Sequence, residues 1–304
     1  MSFSAEVKKE LMSIDVDYPC CIRSMAYGML LFGRSFNIKN ISMMTDSERT
    51  ADTYIKVVHA ATGVVVSKTV SHSGGKYILN VDSEEDRIRI FETFNLTGKE
   101  RSLRINRSVL TNEGDDENNC CFSSFIRGAF LSCGTVCDPN KMYTLEFIIP
   151  YMKLSEDFYA LLEESNLEPK VTGRRGVYVV YFKDSSNIED ILALMGASMA
   201  MLEIVGIKAL KDVRNRVNRV TNFDNANISK TVSASSVQIE AINKIDKLTG
   251  LDELPHDLKE IAILRREYPE MSLRELGEEL TPPVSRSGVN HRLMKLIDMA
   301  KKLN

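Results

Sequence analysis

Apolar residues return every three to four positions along some stretches of this chain and every second position along others, the periods of helices and strands. The opening MSFSAEVKKELMSI reads as a short amphipathic helix with Ser4 placed to cap it. Residues 36–45 and 64–70 read as strands, with an amphipathic helix over 48–61 between them. From Tyr77 a strand-like run leads into a helix in which Ser83 and Asp86 resemble a capping box. Residues 143–152 read as a strand, followed by a helix over 155–165 that Ser155 would start. Residues 177–182 alternate as a further strand, and Ser186 with Glu189 forms a second capping box. From 198 to 250 the helical period continues but is broken around 221–228, in an Asn-rich, polar region.

The last fifty residues carry a sharper pattern. Residues 254–269 form an amphipathic helix with Leu258, Ile261, Ala262 and Leu264 on its apolar stripe. Ser272 and Glu275 form a capping box for a short helix whose Leu273, Leu276 and Leu280 face inward. Gly277 costs helix propensity there and fits where a neighbouring helix crosses closely. Thr281-Pro282-Pro283 forces a turn, because proline cannot continue a helix. Ser285 then caps a third helix from Arg286 to Leu303, with Val289, Leu293 and Leu296 inward. A helix, a short helix, a tight turn and a longer helix is the helix-turn-helix arrangement.

The first two hundred residues repeat themselves. CCIRSMAYGMLL from Cys20 and CCFSSFIRGAFL from Cys120 share five of twelve residues at an offset of 100: Cys20/Cys120, Cys21/Cys121, Ser24/Ser124, Gly28/Gly128 and Leu31/Leu131. The strand and capped helix from Tyr77 return from Tyr178. Between the copies lies NEGDDENN (112–119), a polar loop without core-forming residues. Two copies of one α/β unit around a shared sheet are the economical reading.

Composition narrows the class. The 304 residues are 43% hydrophobic and 27% charged, as in ordinary globular proteins. No run of 18 apolar residues suggests a membrane span, and the start lacks a signal peptide's apolar stretch, so a cytoplasmic location and no membrane partner are expected. The formal charge is −3, but it is unevenly spread. Residues 1–200 carry 22 basic and 27 acidic groups, whereas 281–304 and 208–219 each carry five basic groups and one acid. Such local fields attract a phosphate backbone. The six cysteines fall as Cys20-Cys21, Cys120-Cys121, Cys133 and Cys137. Adjacent pairs lack the usual Cys-x2-Cys spacing and no histidine lies close by, so they read as small buried apolar residues, with no metal and no cofactor expected.

FIRGAFLSCGTV (125–136) resembles the signature helix of the LAGLIDADG homing endonucleases, in which two such helices pack through glycines and each delivers a metal-binding acid. The positions matching that acid are Gly33 and Cys133, and the other signature acid is matched by Leu31 and Leu131. The resemblance therefore implies an endonuclease-like fold that has lost its chemistry, and no enzyme. The net acidity of this half also suits a DNA-wrapping saddle poorly. The competing reading is a metal-dependent DNA endonuclease using displaced acids, with Asp138 and Glu146 as ligands.

For the third helix of the C-terminal part, the functional reading is double-stranded DNA. Its first turns carry Ser285, Arg286, Ser287, Asn290, His291 and Arg292, followed by Lys295, and the preceding short helix offers Ser272 and Arg274. Hydroxyls, an amide and long cationic donors suit base edges and phosphates in a major groove. The helix dipole disfavours cations at that end, and DNA offsets the cost. Before it, Lys208, Lys211, Arg214, Arg216 and Arg219 form a basic helical stretch, read either as phosphate contacts or as a solvated connector.

LPHDLKEIAILRREYPEMSLRELGEELTPPVSRSGVNHRLMKL is similar to the C-terminal domain of the WhiA family of bacterial regulators. MSFSAEVKKEL and RGAFLSCGTVCDP with KMYTLEF resemble that family too, so the likeness spans the chain. It implies an α+β fold, a duplicated LAGLIDADG-like domain over 1–203 (copies 1–111 and 120–203), a helical basic connector over 204–253, and an all-α helix-turn-helix domain over 254–304. It further implies a nucleoid-associated transcription regulator tied to cell division, chromosome segregation and sporulation, without nuclease activity. The duplicated domain would then be free to bind a partner protein or ligand.

Overall fold

A computed structural model of the chain describes residues 2–71, 74–111 and 120–303. The chain divides into two compact units, residues 1–210 and 211–304.

The first unit opens with α1 (Phe3–Met12), which buries Phe3, Val7 and Leu11 at helical spacing. Its cap is Ser2, whose hydroxyl accepts the Ala5 N–H, and not the expected Ser4. Ser4 is one residue inside the helix, and its hydroxyl accepts the N–H of Val136 instead. The same series of elements then occurs twice. The first copy is α2 (Pro19–Leu31), β1 (Ser35–Asn37), β2 (Asn40–Thr45), α3 (Glu48–Thr62), β3 (Ser67–Val70), β4 (Tyr77–Asn80) and α4 (Glu84–Thr93). The second is α5 (Cys120–Cys133), β5 (Gly134–Val136), β6 (Leu145–Ile149), α6 (Met152–Glu163), β7 (Lys170–Arg174), β8 (Val177–Phe182) and α7 (Ser185–Met195). Each copy builds its own four-stranded antiparallel sheet, in the orders β1-β2-β4-β3 and β5-β6-β8-β7. The expected single shared sheet is thus two sheets over one continuous hydrophobic core.

The copies meet where α2 crosses α5. A Cβ added at Gly28 would stand under 3.0 Å from the Phe125 carbonyl oxygen and 3.0 Å from Ala129 N. One added at Gly128 would do the same to the Met25 oxygen and Met29 N. Glycine is what lets the two backbones approach so closely. Around the crossing, the rings of Tyr27 and Phe125 lie 5.6 Å apart, and those of Phe32 and Phe158 4.8 Å apart.

Several local expectations shift. The strand expected over 36–45 is a hairpin, because the Asn37 side chain accepts the N–H groups of Lys39 and Asn40 and turns the chain. Ser155 lies buried within α6, which begins at Met152 after Tyr151. The cap of α7 is Asp184, which accepts from Ser186 and Asn187 N–H, and Glu189 is left to pair with Lys208. Ser83 caps α4 as expected.

The longest helix, α8 (Ser198–Leu248), is uninterrupted, against the expected break at 221–228. Asparagine in a helix costs only about 0.7 kcal/mol against alanine, and neither proline nor glycine occurs between Gly206 and Gly250. In the first unit its start buries Ala200 and Ile204, and the Glu10 carboxylate accepts the Met199 and Ala200 N–H groups at 2.7 and 3.0 Å. In the second unit, Ala241, Ile242 and Ile245 of α8 form one core with α9 (His256–Glu267), α10 (Leu273–Glu279) and α11 (Arg286–Lys302). That core holds the anticipated Leu258, Ile261, Leu276, Leu280, Val289, Leu293 and Leu296.

Candidate nucleic-acid interface

Capping chemistry fixes the helices that carry the candidate residues. The Ser272 hydroxyl accepts the Glu275 N–H, and the Glu275 carboxylate accepts the Ser272 N–H at 2.7 Å, which completes the capping box. Those contacts hold the Glu275 carboxyl below the usual carboxylate range. Ser285 caps α11 by accepting the Gly288 N–H, and its hydroxyl also meets that of Ser287 at 3.0 Å. The close neighbour of Gly277 is the carbonyl oxygen of Val284, in the turn before α11, with Val289 Cγ2 behind it. The Val284 N–H donates to the Gly277 carbonyl at 2.8 Å. The glycine thus admits the turn as well as the helix.

With Val289, Leu293, Leu296 and Ala300 inward, a step of about 100° per residue places Ser287, His291 and Lys295 on the opposite side of α11. All three are exposed, as are Arg286 and Asn290 on the flank. Arg292 is turned elsewhere: its guanidinium lies 3.8 Å from the Asp257 carboxylate and donates to the Asp257 carbonyl at 3.5 Å. Arg274 is exposed and paired with Glu278 one turn on, at 3.0 Å.

Arg286, Arg274 and Ser272 line one cleft of about 370 Å³ together with Lys230, Gln238 and Arg265. Sequence reasoning did not single out the last three. Arg265 is 1% exposed and occupies the apolar stripe of α9, four residues after Ile261. A cation on that stripe was the available signal. It donates to the carbonyls of Met271 at 2.7 Å and Pro269 at 3.3 Å, which ties down the α9–α10 loop. Among the described residues, its Nε and the Gln238 Oε1 are buried without a partner, and burial lowers the Arg265 pKa. Lys230 and Gln238 reach the cleft from α8, which no local pattern reveals. The cleft therefore gathers four cationic side chains, with the buried Arg265 and Gln238 in its lining, beside the N-terminus of α11.

The basic stretch of α8 is less uniform than its charge suggests. Lys208 is bound to Glu189 at 3.2 Å and to the Ser186 hydroxyl at 3.1 Å. Arg214, Arg216 and Arg219 are exposed, but Arg214 and Arg216 point roughly 200° apart around the helix. Lys211 lies on the side of Lys208, one turn on.

At the ends of the paired signature helices, neither position matching the metal-binding acid carries a carboxylate. Gly33 follows α2, where an added Cβ would meet the Ser42 and Leu30 carbonyls at 3.0 and 3.1 Å. Cys133 ends α5, and burial pushes its thiol up to about 12. The Lys8 ammonium sits there too, donating to the Leu131 carbonyl at 3.2 Å and within electrostatic reach of Cys133 and of the Asp46 carboxylate. Glu146 lies 3.5 Å from Arg174, and Asp138 accepts from Asn140 within its own loop.

Fold and candidate site together define a helix-turn-helix protein built onto a duplicated LAGLIDADG-like α+β unit. The family of WhiA C-terminal HTH domains matches residues 217–300, and that of WhiA LAGLIDADG-like domains matches 122–214. A probable cell division protein WhiA of Ruminiclostridium cellulolyticum is 35% identical over 100% of this chain and 98% of its own length. One of Clostridium tetani is also 35% identical, with the same coverage. The crystal structure of full-length WhiA from Thermotoga maritima superposes with a TM-score of 0.57 at 25% identity, covering 100% of this chain and 99% of that one. The chain belongs to the WhiA family. Among the described residues, no helix is long and apolar enough to cross a membrane.

Proposed function

We propose that this chain is a sequence-specific regulator of transcription that binds double-stranded DNA through its second unit. The observation that carries the reading is the cleft of Lys230, Arg265, Arg274 and Arg286 beside the exposed polar face of α11. Cations at a helix N-terminus work against the dipole unless a phosphate is the partner. Arg286 and Arg274 contact the backbone, and Ser287, Asn290 and His291 face the base edges. Relatives named probable cell division protein WhiA support a role in cell division, and family resemblance extends the reading to chromosome segregation and sporulation. The duplicated unit serves as a scaffold that does not cut DNA, because Gly33 and Cys133 offer no carboxylate for a divalent ion. It is left to receive a partner protein or ligand.

The test is binding to genomic fragments selected by the full chain, measured over a salt series. Arg286→Ala weakens binding to all sequences alike and lowers the log–log salt slope by about 0.9, one phosphate's worth. Asn290→Ala instead erodes the preference for selected over random DNA by about 1–3 kcal/mol. Unchanged binding in both variants overturns the assignment of this face. Cleavage of plasmid DNA with Mg²⁺ or Mn²⁺, abolished by Glu146→Ala and Asp138→Ala, overturns the scaffold reading.

A further inference from the structure

The two adjacent cysteine pairs, set aside above for want of a metal-binding spacing, converge in the fold. Cys20 and Cys21 stand in the first turn of α2, and Cys120 and Cys121 in the first turn of α5. Their four sulfur atoms all lie within 4.8 Å of one another. Among the described residues this is the one gathering of three or more His, Cys, Asp or Glu ligand atoms. The spacing that matters is not within a copy but between copies, across the α2–α5 crossing.

We propose that Cys20, Cys21, Cys120 and Cys121 hold one thiophilic divalent ion, zinc, in a tetrahedral tetrathiolate site that joins the two copies. Four thiolates at a Zn–S distance of ~2.3 Å stand ~3.8 Å from each other, so the sulfurs need to draw in by no more than about an ångström. Thiols this close leave room for one ion and none for the sulfides of an iron–sulfur cluster. Loading is balanced by the loss of four thiol protons: Zn²⁺ and four S–H groups give a complex of charge −2 and four H⁺.

Three observations fit that negative charge. Both helices present their N-termini, the positive ends of their dipoles, at the sulfurs. Arg127 is 7% exposed, donates its Nε to the Met195 carbonyl at 2.8 Å, and lies within electrostatic reach of Cys21. Among the described residues it has no carboxylate in ion-pair range, so a tetrathiolate centre supplies the counter-charge a buried guanidinium needs. The Ser124 hydroxyl reaches Cys21 from the opposite copy; its counterpart Ser24, beside Cys121, gives its proton to the Val109 carbonyl at 2.7 Å. An outer hydroxyl such as that of Ser124 orients a thiolate ligand. Four of the five residues that match between copies thus lie at this crossing: two ligands, a serine beside a ligand of the other copy, and the glycine that permits the approach. Cys21 and Cys121 are buried, whereas Cys20 and Cys120 are half-buried and leave an entry path.

The test uses the full chain purified under reducing conditions. Elemental analysis is expected to find about one zinc per chain, and cobalt exchanged into the site to give the thiolate charge-transfer and intense visible bands of a tetrahedral centre. Cys21→Ser with Cys121→Ser abolishes both signals, and Cys137→Ser, at an exposed cysteine outside the tetrad, leaves them intact. Substoichiometric zinc together with a cobalt titration that yields no such bands overturns the proposal. So does mass spectrometry showing the tetrad as two disulfides in reducing buffer. Neither reading of the wild-type chain depends on a variant folding.

Discussion

One substitution made at two places in the first unit should move stability in opposite directions. Gly128 and Gly206 are both helical glycines. Alanine at an open helical position gains about 1 kcal/mol over glycine, mostly from backbone entropy. Nothing lies within 4 Å of the Cβ that Gly206→Ala would add, so that gain is realised in full. At Gly128 the new Cβ meets the Met25 carbonyl oxygen and Met29 N, both backbone atoms of α2. Backbone cannot rotate aside like a side chain, so α2 and α5 must part by roughly an ångström and give up packing along the crossing. Overpacking costs about 1–3 kcal/mol, and a backbone clash belongs at the top of that range. For a unit of this size 1 kcal/mol is worth about 2–4 °C. Set against the same ~1 kcal/mol backbone gain, the clash should leave Gly128→Ala with a melting temperature lower by about 4–8 °C, while Gly206→Ala raises it by about 2–4 °C, in thermal unfolding followed by circular dichroism. Adding Gly28→Ala to Gly128→Ala should cost less than the sum of the two, because the helices part only once. If Gly128→Ala melts within about 2 °C of the parent, or both alanines shift it the same way, the close-crossing argument fails.

Four further outcomes test the helix ends and the second core. Ser272→Ala removes the α10 cap and should cost about 1 kcal/mol in urea unfolding; a loss of DNA affinity with stability intact would instead make Ser272 a DNA contact. The lowered Glu275 carboxyl contributes stability above the ordinary carboxylate range and loses it as pH falls through the lowered value, so Glu275→Gln should flatten the acid limb of the stability profile, and an unchanged limb would exclude that role. Leu293→Ala empties a fully buried position and should cost about 2–5 kcal/mol, with a loss under 1 kcal/mol showing that α11 is not packed as described. Glu10→Ala removes the acceptor for the first N–H groups of α8 and should speed hydrogen exchange at Met199 and Ala200, while equal protection in the variant would show that the cap holds nothing.

The C-terminal helices could be read directly from the residues because their determinants are local. The capping box at Ser272 and Glu275, the turn at Thr281-Pro282-Pro283, the cap at Ser285 and the 3.6-residue stripe all act within one or two turns of helix. The duplication was visible for the same reason, as matched residues at a fixed offset. Where such local signals competed, the choice went astray: Ser4, Ser155 and Ser186 each looked like a cap, but Ser2, Tyr151 and Asp184 occupy those positions. A serine's role there depends on where the helix stops being paid for by packing, which is a matter of contacts with other elements.

The repeat and the helix-turn-helix were set by short-range chemistry, and both could be read from the sequence alone. Three features were decided by tertiary structure. Two sheets formed where one was expected, because each copy closes its own antiparallel ladder. Arg265, Lys230 and Gln238 joined Arg274 and Arg286 around one cleft from four different helices. Four cysteines a hundred residues apart met at one crossing because Gly28 and Gly128 have no side chain to hold the helices apart. Periodicity shows which face of an element is buried, but not which distant face it is buried against, and both candidate sites lie where distant faces meet.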